Sequence, residues 1–174
     1  MDVSIWSKVA KKIGDELAAY DPENSEKYQK RRENYQQKLN DLHTYALMIL
    51  QTIPEKQRVL VTAHDAFSYL GRGYGIEVRG VQGITTVSEA GTKSINELVD
   101  YLIENKIPSI FVESSVPEKS VRAVIEGAAE KGHIVEMGGE LFSDAMGPAG
   151  TYQGTYIGMM DHNFTTIVNA LGGS

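Results

Sequence analysis

The 174-residue sequence contains no cysteine. That removes disulfides, thiolate metal sites and cysteine nucleophiles together. Proline is scarce, at five residues, and aromatics make up only 8% of a chain that is 41% hydrophobic, enough for a single modest core. No apolar run approaches the roughly 18 residues that signal a membrane-spanning helix. Met1 to Tyr20 reads amphipathic, without the apolar centre of a signal peptide. Excess positive charge is also lacking. The net charge is −6, and the densest basic run, Lys30-Arg31-Arg32, meets Glu33 at once. Such a run reads as a solvated helix face, so nucleic acid is not expected as a partner.

Two styles of sequence meet near Pro54. Before it the chain is polar and helical. Val3, Ile5, Trp6, Val9, Ile13, Leu17 and Ala18 recur near helical spacing until Tyr20-Asp21-Pro22 ends the run. Asp21 before Pro22 predicts an N-cap followed by a first-turn proline. Glu23 to Thr52 has neither glycine nor proline, and Tyr28, Tyr35, Leu39, Leu42, Ala46 and Ile49 form a narrow stripe. One helix of about 30 residues would be roughly 45 Å long.

After Pro54 strands and helices alternate. Val59–Thr62, Glu77–Ile84, Ile110–Val112 and His133–Met137 read as strands. Helices are expected over 66–72, 92–105, 118–131 and 152–171. Strands apolar along their length, separated by helices, predict an α/β fold with a four-stranded parallel sheet covered on both faces. In such sheets ligands gather beyond the carboxyl ends of the strands. Those loops begin at Ala63-His64-Asp65, Gly83, Glu113-Ser114-Ser115 and Gly138.

Of the four histidines, His43, His133 and His162 read as packing or surface residues, whereas His64 directly follows a strand at the ligand-bearing edge. Asp144 lies in Leu141-Phe142-Ser143-Asp144-Ala145-Met146, beyond the fourth strand. An imidazole nitrogen and a carboxylate oxygen suit zinc, manganese or iron(II). The plainer alternative is a hydrogen-bonded histidine and a helix-capping aspartate. Glu113 has two readings, a carboxylate that orients His64 or a helix cap, and Asp65 reads as a cap for the helix after it. A hydrolase would use Ser114 with His64 and Asp144, or a catalytic metal held among His64, Glu113 and Asp144. The segment around Ser114 lacks the glycines of a nucleophile elbow. Gly71-Arg72-Gly73-Tyr74-Gly75 ends a helix instead of joining a strand to one, so it is no phosphate cradle.

The segments Val59–Leu70, Gln82-Gly83-Ile84, Ser88-Glu89-Ala90, Ile110–Ser115 and Gly138–Met146 resemble, in order and spacing, the C-terminal half of the TroA-like manganese/zinc/iron solute-binding proteins of ABC transporters. The resemblance implies a binding protein, not an enzyme. It implies two α/β lobes joined by a long helix, with a divalent metal held by two histidines from the N-terminal side and two ligands from the C-terminal side. His64 and Asp144 match the latter two positions, and some members carry glutamate where His64 stands. On this reading residues 1–20 are a helix remnant of the interlobe or N-terminal-lobe region, 21–53 the linker helix and 54–174 the C-terminal metal-binding lobe. The chain would begin just past the family's second histidine, without the N-terminal lobe or a signal peptide. Metal would then be bound weakly, and the apolar stripe of the first helix would pack back on the lobe or on a second copy. The intact protein would stand outside the membrane, periplasmic or extracellular and membrane-associated, and deliver metal to an ABC permease.

Overall fold

A computed structural model describes residues 1–82 and 91–173. Among these, four strands, β1 (Val59–His64), β2 (Glu77–Gln82), β3 (Ser109–Glu113) and β4 (Glu136–Leu141), form one sheet in the order β2-β1-β3-β4. All neighbouring pairs are parallel. Six α-helices accompany them: α1 (Val3–Tyr20), α2 (Ser25–Leu50), α3 (Ser68–Tyr74), α4 (Thr92–Asn105), α5 (Lys119–Glu130) and α6 (Tyr156–Ala170).

The two central strands, β1 and β3, are buried on both faces because each must serve two cores, whereas the edge strand β4 is mostly exposed or half-buried. Val59, Val61, Ala63, Ile110 and Val112 pack with Leu98, Val99 and Leu102 of α4 and with Val121, Val124 and Ala128 of α5. The alternate residues Leu60 and Phe111 join Leu42 and Ala46 of α2, Leu70 of α3 and Met160, Phe164 and Ile167 of α6. This is period-two alternation with apolar residues at both parities, as a covered parallel sheet requires.

The first two helices form an antiparallel hairpin. Asp2 caps α1, its Oδ1 accepting from the Ser4 and Ile5 amides at 2.9 and 3.3 Å. Gly14 lies against the Arg32 side chain, Arg32 pairs with Asp15, and the Trp6 indole donates to Tyr35 Oη at 3.2 Å. α2 has 26 residues and is roughly 39 Å long at 1.5 Å per residue. The expected cap at Asp21 is not made. Pro22–Asn24 forms a single 3₁₀ turn before α2, and Asp21 Oδ2 accepts instead from Asn24 Nδ2 and Tyr28 Oη.

The fourth strand lies three residues later than the sequence pattern suggested. Gly132 and His133 close α5 by donating to Ala129 O and Ala128 O, which leaves His133 outside the strand. Gly138 and Gly139, expected in a loop, are strand residues. A β-carbon on Gly138 would lie 2.8 Å from the Phe111 ring and 2.9 Å from Ala170 Cβ, so glycine here lets α6 close on the sheet. The last helix begins at Tyr156 instead of Tyr152, because Thr155 supplies the cap by accepting from the Gly158 amide at 3.0 Å. The expected continuation of β2 to Ile84, and the Ser88-Glu89-Ala90 segment, lie outside the described residues.

Gly158 meets the loop that precedes α6 with no spare room, since a β-carbon there would stand 1.9 Å from Tyr152 O. Alanine gains up to about 1 kcal/mol in helix propensity, but a backbone clash of this kind costs about 1–3 kcal/mol. Gly158→Ala is therefore expected to lower stability, measured as the urea midpoint at an unchanged slope.

Candidate metal centre

Strand register assembles the site. Thr62 of β1 lies opposite Phe111 of β3. Two residues further along each strand, on the same face, stand His64 and Glu113. Glu113 in turn pairs with Leu141, the last residue of β4, from which the chain continues to Asp144. Residues 80 apart in sequence thus converge on the carboxyl edge of the sheet.

His64 is held from every side. Its amide donates to Glu113 Oε1 at 2.9 Å. Its carbonyl accepts from the Thr62 hydroxyl at 2.9 Å and from the Ala66 amide at 3.0 Å. Its ring Nδ1 lies 2.6 Å from Glu113 Oε2, with the two side chains 5% and 0% exposed. The approach is oblique, so neither atom has a well-aligned hydrogen bond. Two lone pairs would nevertheless repel at that separation, so a proton must lie between them, on Nδ1. The tautomer follows: Nε2 is left with its lone pair free, as a metal-binding imidazole requires. That nitrogen faces Asp144 Oδ2 at 3.7 Å.

Asp144 differs in kind, with a side chain 61% exposed on an irregular loop. Two contacts fix that loop. Asn163, fully buried in α6, accepts from the Phe142 amide at 3.0 Å and donates to the Phe142 carbonyl at 2.8 Å. Ser115 Oγ lies 3.2 Å from Asp144 Oδ2 and 2.9 Å from Ser143 Oγ. Sequence reasoning singled out neither Asn163 nor Ser115 for the site. A polar residue among Met159, Met160, Phe164 and Ile167 was the available signal for the first. The second had none beyond following Glu113.

The other candidates separate cleanly. His43 Nδ1 meets Tyr74 Oη at 3.1 Å, His133 Nε2 meets Ile107 O, and His162 Nε2 meets Glu140 O, all as packing contacts. Asp65 does not cap a backbone amide; its Oδ1 accepts from the Ser68 hydroxyl at 2.6 Å. Both ring nitrogens of His64 face carboxylates instead of Ser114, which leaves the serine-nucleophile triad without a base. Among the described residues no three histidine, aspartate or glutamate side chains converge as a closed metal cage. The pair His64 and Asp144, with Glu113 behind the ring, is what the edge presents.

Asn163→Ala would strip partners from both polar groups of Phe142. An unpaired buried amide or carbonyl costs about 1–3 kcal/mol, so this variant should show a clear fall in melting temperature, with the signals of 142–146 most altered in an amide NMR map.

The family model described as "ZnuA: zinc-uptake complex component A periplasmic" matches residues 1–170. The chain is 47% identical over 170 residues to the zinc-binding protein TroA of Treponema pallidum, covering 98% of this chain and 55% of that protein. It is also 47% identical over 169 residues to the manganese-binding lipoprotein MntA of Bacillus subtilis, covering 97% of this chain and 55% of that protein. The solved structure of the periplasmic zinc-binding protein TroA superposes with a TM-score of 0.92 over 98% of this chain and 61% of that one. Iron(III)-bound YtgA of Chlamydia trachomatis superposes with a TM-score of 0.90 at 25% identity, over 99% of this chain and 62% of that one. The chain thus spans about half the length of the curated relatives it matches. These relatives are metal-binding proteins, which favours binding over catalysis. With the family model matching nearly end to end and the sheet superposing on TroA, the chain belongs to the ZnuA/TroA family of metal-binding solute-binding proteins of ABC transporters.

Proposed function

We propose that this chain contributes the carboxyl-side half of a divalent transition-metal site, with His64 Nε2 and Asp144 Oδ2 as ligands and Glu113 orienting the imidazole. The observation that carries the reading is the 3.7 Å between those two atoms. A cation bound at about 2.1 Å to each would subtend a tetrahedral or slightly wider angle. The donor set of one nitrogen and one oxygen, in a chain without cysteine, suits zinc, manganese or iron(II) over soft metals. The relatives named for zinc and for manganese fall within that range, and the iron-bound one holds iron(III), a harder ion that oxygen donors also suit.

Two protein donors leave coordination positions to water or to another segment, so the 174-residue chain alone should bind metal more weakly than a four-ligand site. Zinc should bind more tightly than manganese, since intrinsic affinity at such ligands follows that order. In this reading residues 54–174 are the metal-binding lobe, 21–53 the helix that joins it to a second lobe, and 1–20 a helix remnant of the interlobe or N-terminal-lobe region. The metal is cargo, handed to an ABC permease from outside the membrane. Trp6, Val9, Ile13 and Leu17 remain 37%, 39%, 51% and 42% exposed along α1 although the helix packs on α2. This stripe is the surface through which the chain by itself would self-associate.

Calorimetric titration with zinc and manganese tests the site. His64→Ala and Asp144→Ala should each abolish measurable binding, and titrations indistinguishable from the parent would refute the assignment. Glu113→Gln should weaken binding about 10–100-fold. Its amide can donate to Nδ1, which moves the ring proton to Nε2, where metal would bind. Light scattering tests the stripe: a concentration-dependent dimer that Ile13→Asp dissolves is expected, and a strict monomer would rule out self-association.

A further inference from the structure

The two ligands proposed above are held by unequal means, and the inequality singles out a third residue. His64 belongs to a strand and is enclosed by Glu113, Thr62 and the backbone. Asp144 is exposed, and Asn163 grips the chain only at Phe142, two residues earlier. A carboxylate so placed has rotamers that point to solvent, and each rotamer lost on binding weakens affinity. Among the described residues, Ser115 supplies the hydrogen bond that restrains that carboxylate.

Ser115 is itself well placed to supply that restraint. It lies in the tight turn after β3, where the Val116 amide donates to Glu113 O at 3.2 Å and the Ser114 amide continues the ladder to Leu141 O at 3.1 Å. The turn therefore starts at the residue that orients His64. A serine hydroxyl has one proton and two lone pairs. If Ser115 gives its proton to Asp144, the 2.9 Å contact with Ser143 requires Ser143 to donate to Ser115. The resulting chain, Ser143 to Ser115 to Asp144, leaves Asp144 Oδ2 with a further lone pair and Oδ1 with both. Coordination of a cation and the bond from Ser115 are then compatible.

We propose that Ser115 is a positioning residue for metal capture, its hydroxyl holding the Asp144 carboxylate toward His64 Nε2 before the cation arrives. The inference rests on the metal-site reading above. It adds a residue that touches no metal but sets the conformational cost of binding it.

The test compares Ser115→Ala and Ser115→Thr with the parent chain, by titration with zinc and manganese and by carbon NMR of the Asp144 carboxyl in metal-free protein. Ser115 is exposed, and neither change should move the melting temperature. Ser115→Ala should weaken both metals about five- to tenfold, the worth of one hydrogen bond, and shift the Asp144 signal. Ser115→Thr, which keeps the hydroxyl, should restore both. Parent-like affinity in Ser115→Ala, or equal weakening in both variants, overturns the proposal. If His64→Ala and Asp144→Ala also bind as the parent does, the metal site itself is wrong and this role falls with it. If those two lose binding while Ser115→Ala keeps it, only the role of Ser115 is refuted.

Discussion

The carboxylate of Glu113 is the contact around which the rest of the edge is organised. It is wholly buried and makes two contacts with one residue, accepting from the His64 amide through one oxygen and facing the imidazole with the other. A buried carboxylate without partners would be costly, so this group enforces the arrangement it takes part in. It joins β1 to β3 beyond the last backbone pairing and fixes the tautomer that frees the outer nitrogen. The turn that carries Ser115 starts from the same residue. A group shut away from solvent thereby governs the geometry of the edge that faces it.

Burial on two faces makes that precision possible. Leu60 and Phe111 look toward α2, α3 and α6, while Val61, Ala63 and Val112 look toward α4 and α5. Strands gripped on both sides have little freedom to slide, so residues at their ends are placed by the core, not by the loops. α6 extends the same control outward. Glycine at 138 lets it approach the sheet, Thr155 sets where it begins, and Asn163 reaches from its buried face to the chain just before Asp144. The irregular loop is thus anchored by a regular element.

Much of this was legible in the chain itself. Apolar β-branched runs separated by helical stripes pointed to the covered parallel sheet, and the rule that ligands gather at strand ends placed His64, Glu113 and Asp144 on one edge. What escaped had physical causes. Gly138-Gly139 reads locally as a turn, and only the neighbouring helix shows why a strand would carry two glycines. Asp21 and Asp65 have the composition of caps, yet each found a side-chain partner that competed successfully, Tyr28 with Asn24 in one case and Ser68 in the other. Asn163 and Ser115 act through partners 21 and 29 residues distant. No local pattern encodes such contacts.

The way β1 and β3 lie in register has an evolutionary corollary. Side chains alternate sides along a strand, so inserting or deleting one residue within either would throw the imidazole and the Glu113 carboxylate to opposite layers of the domain. Exchange of one donor for another at position 64 leaves that parity intact. Lineages should therefore diversify this edge by replacing residues within strands of constant length, and confine changes of length to the loops beyond them.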